Sequence, residues 1–493
     1  MSRLQQDDRD VLLRDLANMG ARGSAEHESR DTFRQTFYPV AEHSRAFDPD
    51  VALVIGSRGA GKSELFRAAV REKLLPAIAR VSAGQLSRMK PERIEWRAGH
   101  PLERDFPDVP GLRRFFGSHA SDLECAIDLW RAYLLRVLTD HLATSSFSRA
   151  PVLTLQGGDV DRIVQDFQGL LNEPVNALDL LDRKLEAEDR WIIVSYDELD
   201  TIGGTDWHAM VLFIHALISF WAENARRWRR IRPKIFLRTD LFRRHAQSFG
   251  ADLIKLAANR AEITWSDRNL YAMLVKRLAN TSEALRKYCV ETKITFEHDA
   301  DLGQIPIIKK STDARPLIER MVGQYMGAGL KKGQTFAWLI SHIRDGNGHA
   351  MPRALVWLIE QAASQELERQ QATHNRLLDP RSLRRALDDV STEHVFQVNT
   401  HELPWLPGVK QRLDGAGVPM PRREAEKLLG RRWQGSWNDE NPDARPPADG
   451  VSGLVTQLVE IGVFRVRPDG RIDVPDLFMF GLGLSRKGGV RKR

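Results

Sequence analysis

Val51 to Ser63 reads VALVIGSRGAGKS, an apolar run that ends in a glycine-rich turn closed by a lysine and a hydroxyl. Val51 to Ile55 predicts a buried strand, which must deliver the backbone into a tight loop whose N–H groups converge on phosphate oxygens. Gly56, Gly59 and Gly61 supply the conformational freedom of that loop, and Ser57, Arg58 and Ala60 complete the cradle. Lys62 reaches the outer phosphates as a point charge. Ser63 sets its hydroxyl toward a magnesium ion at the start of a helix expected over Glu64 to Val70. The match to G-x-x-x-x-G-K-S has no deviation, so the stretch predicts a nucleoside triphosphate site.

Such a site needs a second apolar strand that ends in acid. Trp191 to Tyr196 (WIIVSY) is that strand, and Asp197 and Glu198 follow at its tip. Asp197 suits the metal, and Glu198 suits the attacking water as general base. A third strand, Lys234 to Leu237 (KIFL), ends in Arg238, Thr239 and Asp240. In a sheet with a strand inserted between the loop strand and the acidic strand, this tip carries the polar group that senses the γ-phosphate. Arg238 and Thr239 both fit, and strand alternation lets only one of them face the site.

Together the loop at Gly56 to Ser63, the tip YDELD at Tyr196 to Asp200 and the tip LRTDLF at Leu237 to Phe242 resemble an AAA+ or STAND-type P-loop ATPase, closest to the bacterial STAND and origin-recognition-like branches. The resemblance implies an α/β P-loop NTPase core with a parallel sheet, a helical lid and, for this chain, a C-terminal winged helix. It implies ATP with Mg2+ and a homo-oligomer. ATP over GTP rests on the resemblance, since no N-K-x-D motif is present. GNGHAMPRALVWLIEQA (Gly346 to Ala362) resembles the lid helix that presents an arginine to the phosphates, which makes Arg353 the second sensor. Arg243, Arg244 and Arg260 lie where the family places an arginine finger acting in a neighbouring subunit. The interval from Gly56 to Asp197 exceeds a minimal core, so a helical insertion is expected there. Asp122 to Leu142 has the apolar spacing of one of its helices. No LSGGQ-like signature points to an ABC-type ATPase, and no helicase motif series follows.

The chain has 493 residues, 42% of them hydrophobic and 28% charged, the balance of an ordinary globular protein with several domains. Cys125 and Cys289 are its two cysteines, which predicts neither a disulfide framework nor a zinc site and suits a reducing cytoplasm. The charged, amphipathic start MSRLQQDDRDVLLRDL is unlike a signal peptide. The apolar run His208 to Ala222 is too short to span a membrane and reads as a buried helix. Net charge is +7 and the isoelectric point about 9.4, a balance that favours an acidic polymer as partner.

The expected divisions are an N-terminal helical segment (1–48), the ATPase core (49–245), the lid (246–365), a helical linker (366–408) and a winged helix with a basic tail (409–493). In the last of these, Pro421 to Arg431 and Val451 to Ile461 read as helices. VFRVRPDGRIDVPDLF (Val463 to Phe478) reads as a hairpin about Pro-Asp-Gly. Arg465, Arg467 and Arg471 on this wing, and Arg486, Lys487, Arg491, Lys492 and Arg493 in the tail, suit the phosphates of double-stranded DNA. RRWRRIRPK (Arg226 to Lys234) offers a second basic patch. Two functions follow. One is an ATP-driven switch or motor acting with DNA. The other is an ATP-gated signalling or defence scaffold that assembles with a protein partner.

Overall fold

The computed structural model describes residues 6–20, 29–82, 90–99, 109–119, 122–142, 160–170, 173–199, 207–245, 256–369, 376–401, 403–431, 446, 448 and 450–487. Asp200, residues 432–445 and the tail from 488 onward lie outside them. The contacts divide the chain into two compact units, one of Pro39–Ile263 and one that joins Met1–Tyr38 to Thr264–Arg493.

The first unit is built on five parallel strands: β1 (Leu53–Gly56), β2 (Ile94–Ala98), β3 (Trp191–Tyr196), β4 (Ile231–Arg238) and β5 (Ala261–Ile263). Their spatial order is β2-β3-β4-β1-β5. β4 therefore sits between the loop strand and the acidic strand. β1 and most of β3 read as apolar runs because helices cover both faces of a parallel sheet, and all four residues of β1 are buried, whereas β4 (IRPKIFLR) begins at Ile231, ahead of the expected Lys234 to Leu237, and takes in Arg232 and the buried Lys234. The edge strands β2 (IEWRA) and β5 (AEI) carry charges that hide them from an apolar-run search. β5 also carries the first unit beyond residue 245, to Ile263.

Behind β3 lies the helical insertion. Its central helix is Leu123–Val137, capped by the Asp122 carboxylate, which accepts from the Cys125 amide at 3.0 Å. It packs on helix Trp207–Asn224, where Trp130 stacks on Phe213 at 4.0 Å between ring centroids and donates to the Phe213 carbonyl at 2.9 Å. Among the described residues, no helix is long and apolar enough to cross a membrane.

The basic run Arg226 to Lys234 is not a bare patch. Helix Glu173–Ala187 and the turn after it present acids that match it. Asp179 holds Arg227 at 2.7 Å, Glu186 lies 3.5 Å from Arg229, and Asp189 lies 3.2 Å from Arg230. The buried Asp182 carboxylate accepts the amides of Arg229, Arg230 and Ile231 and so fixes the start of β4. Lys234 is wholly buried in β4, donating to the carbonyls of Asp48 and Val51. Burial pushes its ammonium pKa down to about 7 against the opposing pull of Asp48 and Asp50.

In the second unit, helix Gln6–Ala17 packs on helix Pro352–Arg369. Arg9 pairs with Glu366 at 2.8 Å with both side chains nearly excluded from water. A buried pair holds only when its remaining groups are satisfied. Arg9 also donates to the carbonyls of Arg376 and Leu377, and Glu366 accepts from the Asp379 amide and the Ser382 hydroxyl. The N-terminal residues up to Tyr38 thus belong with the C-terminal unit, while 39–48 belong with the first unit.

The C-terminal elements are helices Leu406–Leu413, Arg422–Leu429 and Gly450–Glu460, then two short antiparallel strands, Arg465–Val466 and Ile472–Asp473. Gly470, at φ +78°, makes the turn between the strands. The loop before helix Pro352–Arg369 is seated against this module. The Gly346 amide donates to the Gly462 carbonyl at 2.6 Å, and a Cβ on Gly346 would lie 2.1 Å from the Phe464 carbonyl oxygen, so only glycine fits.

The start of the basic tail is folded. Arg486 forms a short strand with Gly417–Val418 and pairs with Asp476 at 2.8 Å and with Asp473, while Lys487 reaches Glu424 at 3.2 Å.

Candidate nucleotide-binding site

The loop after β1 has the backbone that its sequence requires. Gly59 and Gly61 adopt φ +67° and +97°, a region that L side chains rarely enter. Gly56 is needed for a different reason, close packing, since a Cβ there would lie 3.3 Å from the Cβ atoms of Ala60 and Ile263. Lys62 opens helix Lys62–Phe66, which runs on as a π-helical turn over Arg67–Arg71. Its ammonium folds back over the loop and donates to the carbonyls of Gly56 at 3.2 Å and Ser57 at 3.1 Å. Ser63 stands half-buried in the first helical turn, and Ser57 and Arg58 are half-buried in the loop.

Parallel order brings the other tips alongside. Gly56 is in register with Arg238, and β3 pairs with β4 on the far side, so all three tips lie at the carboxyl edge of adjacent strands. In open α/β sheets that edge is where ligands bind.

At the β3 tip Asp197 is buried, with 3% exposure. The residue before it is rigidly held. Tyr196 lies edge-on to Trp130, accepts from the Trp221 indole at 3.2 Å, and leaves no room for a Cβ on Gly99. Glu198 is half-buried at φ +53°, a left-handed conformation that is unfavourable for a glutamate. Such outliers persist where the surroundings enforce them, and they gather at functional sites.

The β4 tip separates the two sensor candidates. Arg238 holds both oxygens of Asp240, at 3.1 and 2.8 Å. Burial pushes the Asp240 carboxyl up, but the Arg238 guanidinium outweighs it, helped by Lys62, and holds the acid below the usual carboxylate range. Thr239 is buried, and its hydroxyl has no hydrogen-bond partner among the described residues. A buried hydroxyl left unsatisfied costs about 1–3 kcal/mol. We expect Thr239→Val to leave the thermal midpoint unchanged or raised while lowering ATP turnover at least about tenfold. A parallel loss of stability and turnover would mark Thr239 as a packing residue.

Hard oxygen donors suit magnesium, and the Ser63 hydroxyl with the buried Asp197 carboxylate forms such a set. When bound, the ion neutralises phosphate charge. A second cluster of Glu95, Asp140 and His141 has ligand-like spacing, but a guanidinium already occupies it. Arg97 lies 2.6 Å from Glu95 and also pairs with Asp140, and Arg190 lies 3.6 Å from Glu95. The Glu95 carboxyl is held down to about 2 by the His141 hydrogen bond, with burial opposing and Arg97 assisting.

The remaining arginines are placed as follows. Arg353 is exposed in the first turn of helix Pro352–Arg369, in the second unit. Arg243 is exposed in helix Thr239–His245, and the Arg244 side chain lies outside the described residues. Arg260 donates to the Ala257 carbonyl at 3.3 Å and lies over the Phe242 ring. The sequence did not reveal the Arg238–Asp240 pairing. Its signal was the i, i+2 spacing at a strand end, which becomes a contact only because the chain turns into a helix between the two residues.

No protein-family model matches the chain, and no curated protein does. Among solved structures it is similar to the ORC2 protein of Aeropyrum pernix, determined in ADPNP–ADP complexes. That likeness has 12% identity, 96% coverage of this chain, 90% of that one and a TM-score of 0.27. It is also similar to a Walker-type ATPase of Pyrococcus abyssi, with 13% identity, 90% coverage of this chain, 95% of that one and a TM-score of 0.36.

Proposed function

We propose that the chain is an ATP-binding and ATP-hydrolysing switch of the AAA+/STAND type. The observation that carries this reading is the juxtaposition, on adjacent parallel strands, of the Gly56–Ser63 loop, the unsatisfied Thr239 hydroxyl and the Asp197–Glu198 tip. In this reading the loop amides and Lys62 bind the phosphates. Ser63 and Asp197 hold Mg2+, and Glu198 takes the proton of the attacking water. Thr239 senses the γ-phosphate, while Arg238 stays on Asp240. Arg353 is the lid sensor, the site is completed in a homo-oligomer, and the output is coupling to double-stranded DNA.

One observation favours a protein partner for the winged-helix module instead. Arg465 is held by the buried Asp473 at 2.6 Å and Arg471 by Asp469 at 2.7 Å, and helix Gly450–Glu460 carries no basic side chain. ATP hydrolysis with and without duplex DNA across a salt series separates the two readings. Stimulation that fades with salt supports DNA coupling, and a flat response moves the output to a protein partner.

A further inference from the structure

Two of the wing arginines, Arg465 and Arg471, are paired within the fold, yet another face of the same unit keeps most of its cations without an acidic partner among the described residues. After helix Arg315–Val322 the chain doubles back as a hairpin. The Thr335 amide donates to the Gln324 carbonyl at 3.0 Å, the Met326 amide to the Gly333 carbonyl at 3.0 Å, and Tyr325 bridges Gln334. At its tip, GAGLKKG, the Lys332 amide closes on the Gly329 carbonyl at 3.2 Å. Gly329 and Gly333 adopt φ +86° and +79°, and a Cβ on either would meet nothing within 4 Å, so bare backbone faces open space beside two exposed lysines.

The base of the hairpin is held by arginines. Arg315 donates to the Gln334 side chain at 3.1 Å and covers the Phe336 ring. Arg384 donates to the Met326 carbonyl. Arg376 lies against Gly323, where a Cβ would be 2.7 Å from the guanidinium carbon. Arg381 and Arg385 flank Arg384 on the exposed side of the first turns of helix Pro380–His401. Among the described residues, Lys331, Lys332, Arg376, Arg381, Arg384 and Arg385 have no ion-paired carboxylate. Arg315 has Glu319 at 4.0 Å.

We propose that this face, and not the wing, contacts the phosphate backbone of double-stranded DNA. Protein interfaces are anchored by buried aromatic and apolar groups, and among the described side chains, which do not include that of Leu330, no large exposed hydrophobic one lies on the hairpin or on the first turns of helix Pro380–His401. Cations spread over two elements around an open glycine tip suit a uniform anionic polymer that approaches backbone as readily as side chain. The inference rests on the DNA-coupled reading above and relocates its contact.

The test is fluorescence anisotropy of the full chain with a short duplex between about 50 and 200 mM salt. Two double variants are needed, Lys331→Ala with Lys332→Ala and Arg381→Ala with Arg385→Ala, both at exposed positions without a fold-holding contact. Each should weaken binding at least about fivefold and lower the salt slope by about 2, roughly one per removed cation, with Arg467→Ala on the wing close to the unaltered protein. Unaltered binding by both pairs, with loss in Arg467→Ala, overturns the inference and leaves DNA coupling standing. Absence of duplex binding by the unaltered protein overturns both, and nucleotide binding on the same sample then shows whether the switch reading survives. Equal affinity for polyglutamate overturns the DNA assignment in favour of an acidic protein.

Discussion

Replacing Lys62 with alanine should raise the dissociation constant for ATP at least about 100-fold, because hydrogen bonds from an ammonium to charged groups contribute about 1.5–3 kcal/mol each. In the structure the Lys62 ammonium donates to the carbonyls of Gly56 and Ser57, and the side chain is half-buried. Binding phosphate exchanges neutral acceptors for charged ones, so the alanine variant loses far more in the bound state than in the free one. The thermal midpoint without nucleotide should move by no more than a few degrees. Titration calorimetry measures the affinity. A dissociation constant within threefold of the unaltered protein would remove Lys62 from the phosphate site. A large drop in the midpoint without nucleotide would mean that the lysine supports the loop instead.

The centre of the fold was legible because its strands are buried on both faces. VALVI, the WIIV of WIIVSY and the IFL of KIFL are apolar runs, and each strand leads into the polar residues that chemistry needs. The edges were not legible, since β2 and β5 pair on one side only and carry Glu95, Arg97 and Glu262. Charge reading failed in a related way. Arg226 to Lys234 looks like a patch when counted along the chain, but its partners lie elsewhere in sequence, at Asp179, Asp182, Glu186 and Asp189, while on the wing Arg465 and Arg471 are held by acids of the same hairpin, Asp473 and Asp469. Cationic groups become a surface only where no acid folds back on them. Domain division was obscured for the same reason, because Arg9 meets Glu366 across nearly the whole chain.

Glu198 is the residue where chemistry and backbone strain can be separated by two substitutions. Glu198→Gln keeps the size and the φ of +53° but cannot accept a proton. General-base catalysis contributes about 10²–10⁴-fold, so turnover should fall by that factor while ATP affinity stays within a few-fold of the unaltered protein. The thermal midpoint should not change, because the strained backbone is retained. Glu198→Gly removes the carboxylate and the Cβ together. Turnover should fall as far, yet relief of a left-handed residue is worth about 1 kcal/mol, which raises the midpoint of the ATPase unit by about 2–4 °C. Glutamate is then kept at a conformationally unfavourable position for its proton chemistry, at a measurable loss of stability. Single-turnover hydrolysis together with differential scanning calorimetry reads both quantities. Normal hydrolysis by Glu198→Gln would strip Glu198 of its role as base. A lower midpoint in Glu198→Gly would show that the contacts of its side chain, and not the needs of catalysis, hold the strained backbone in place.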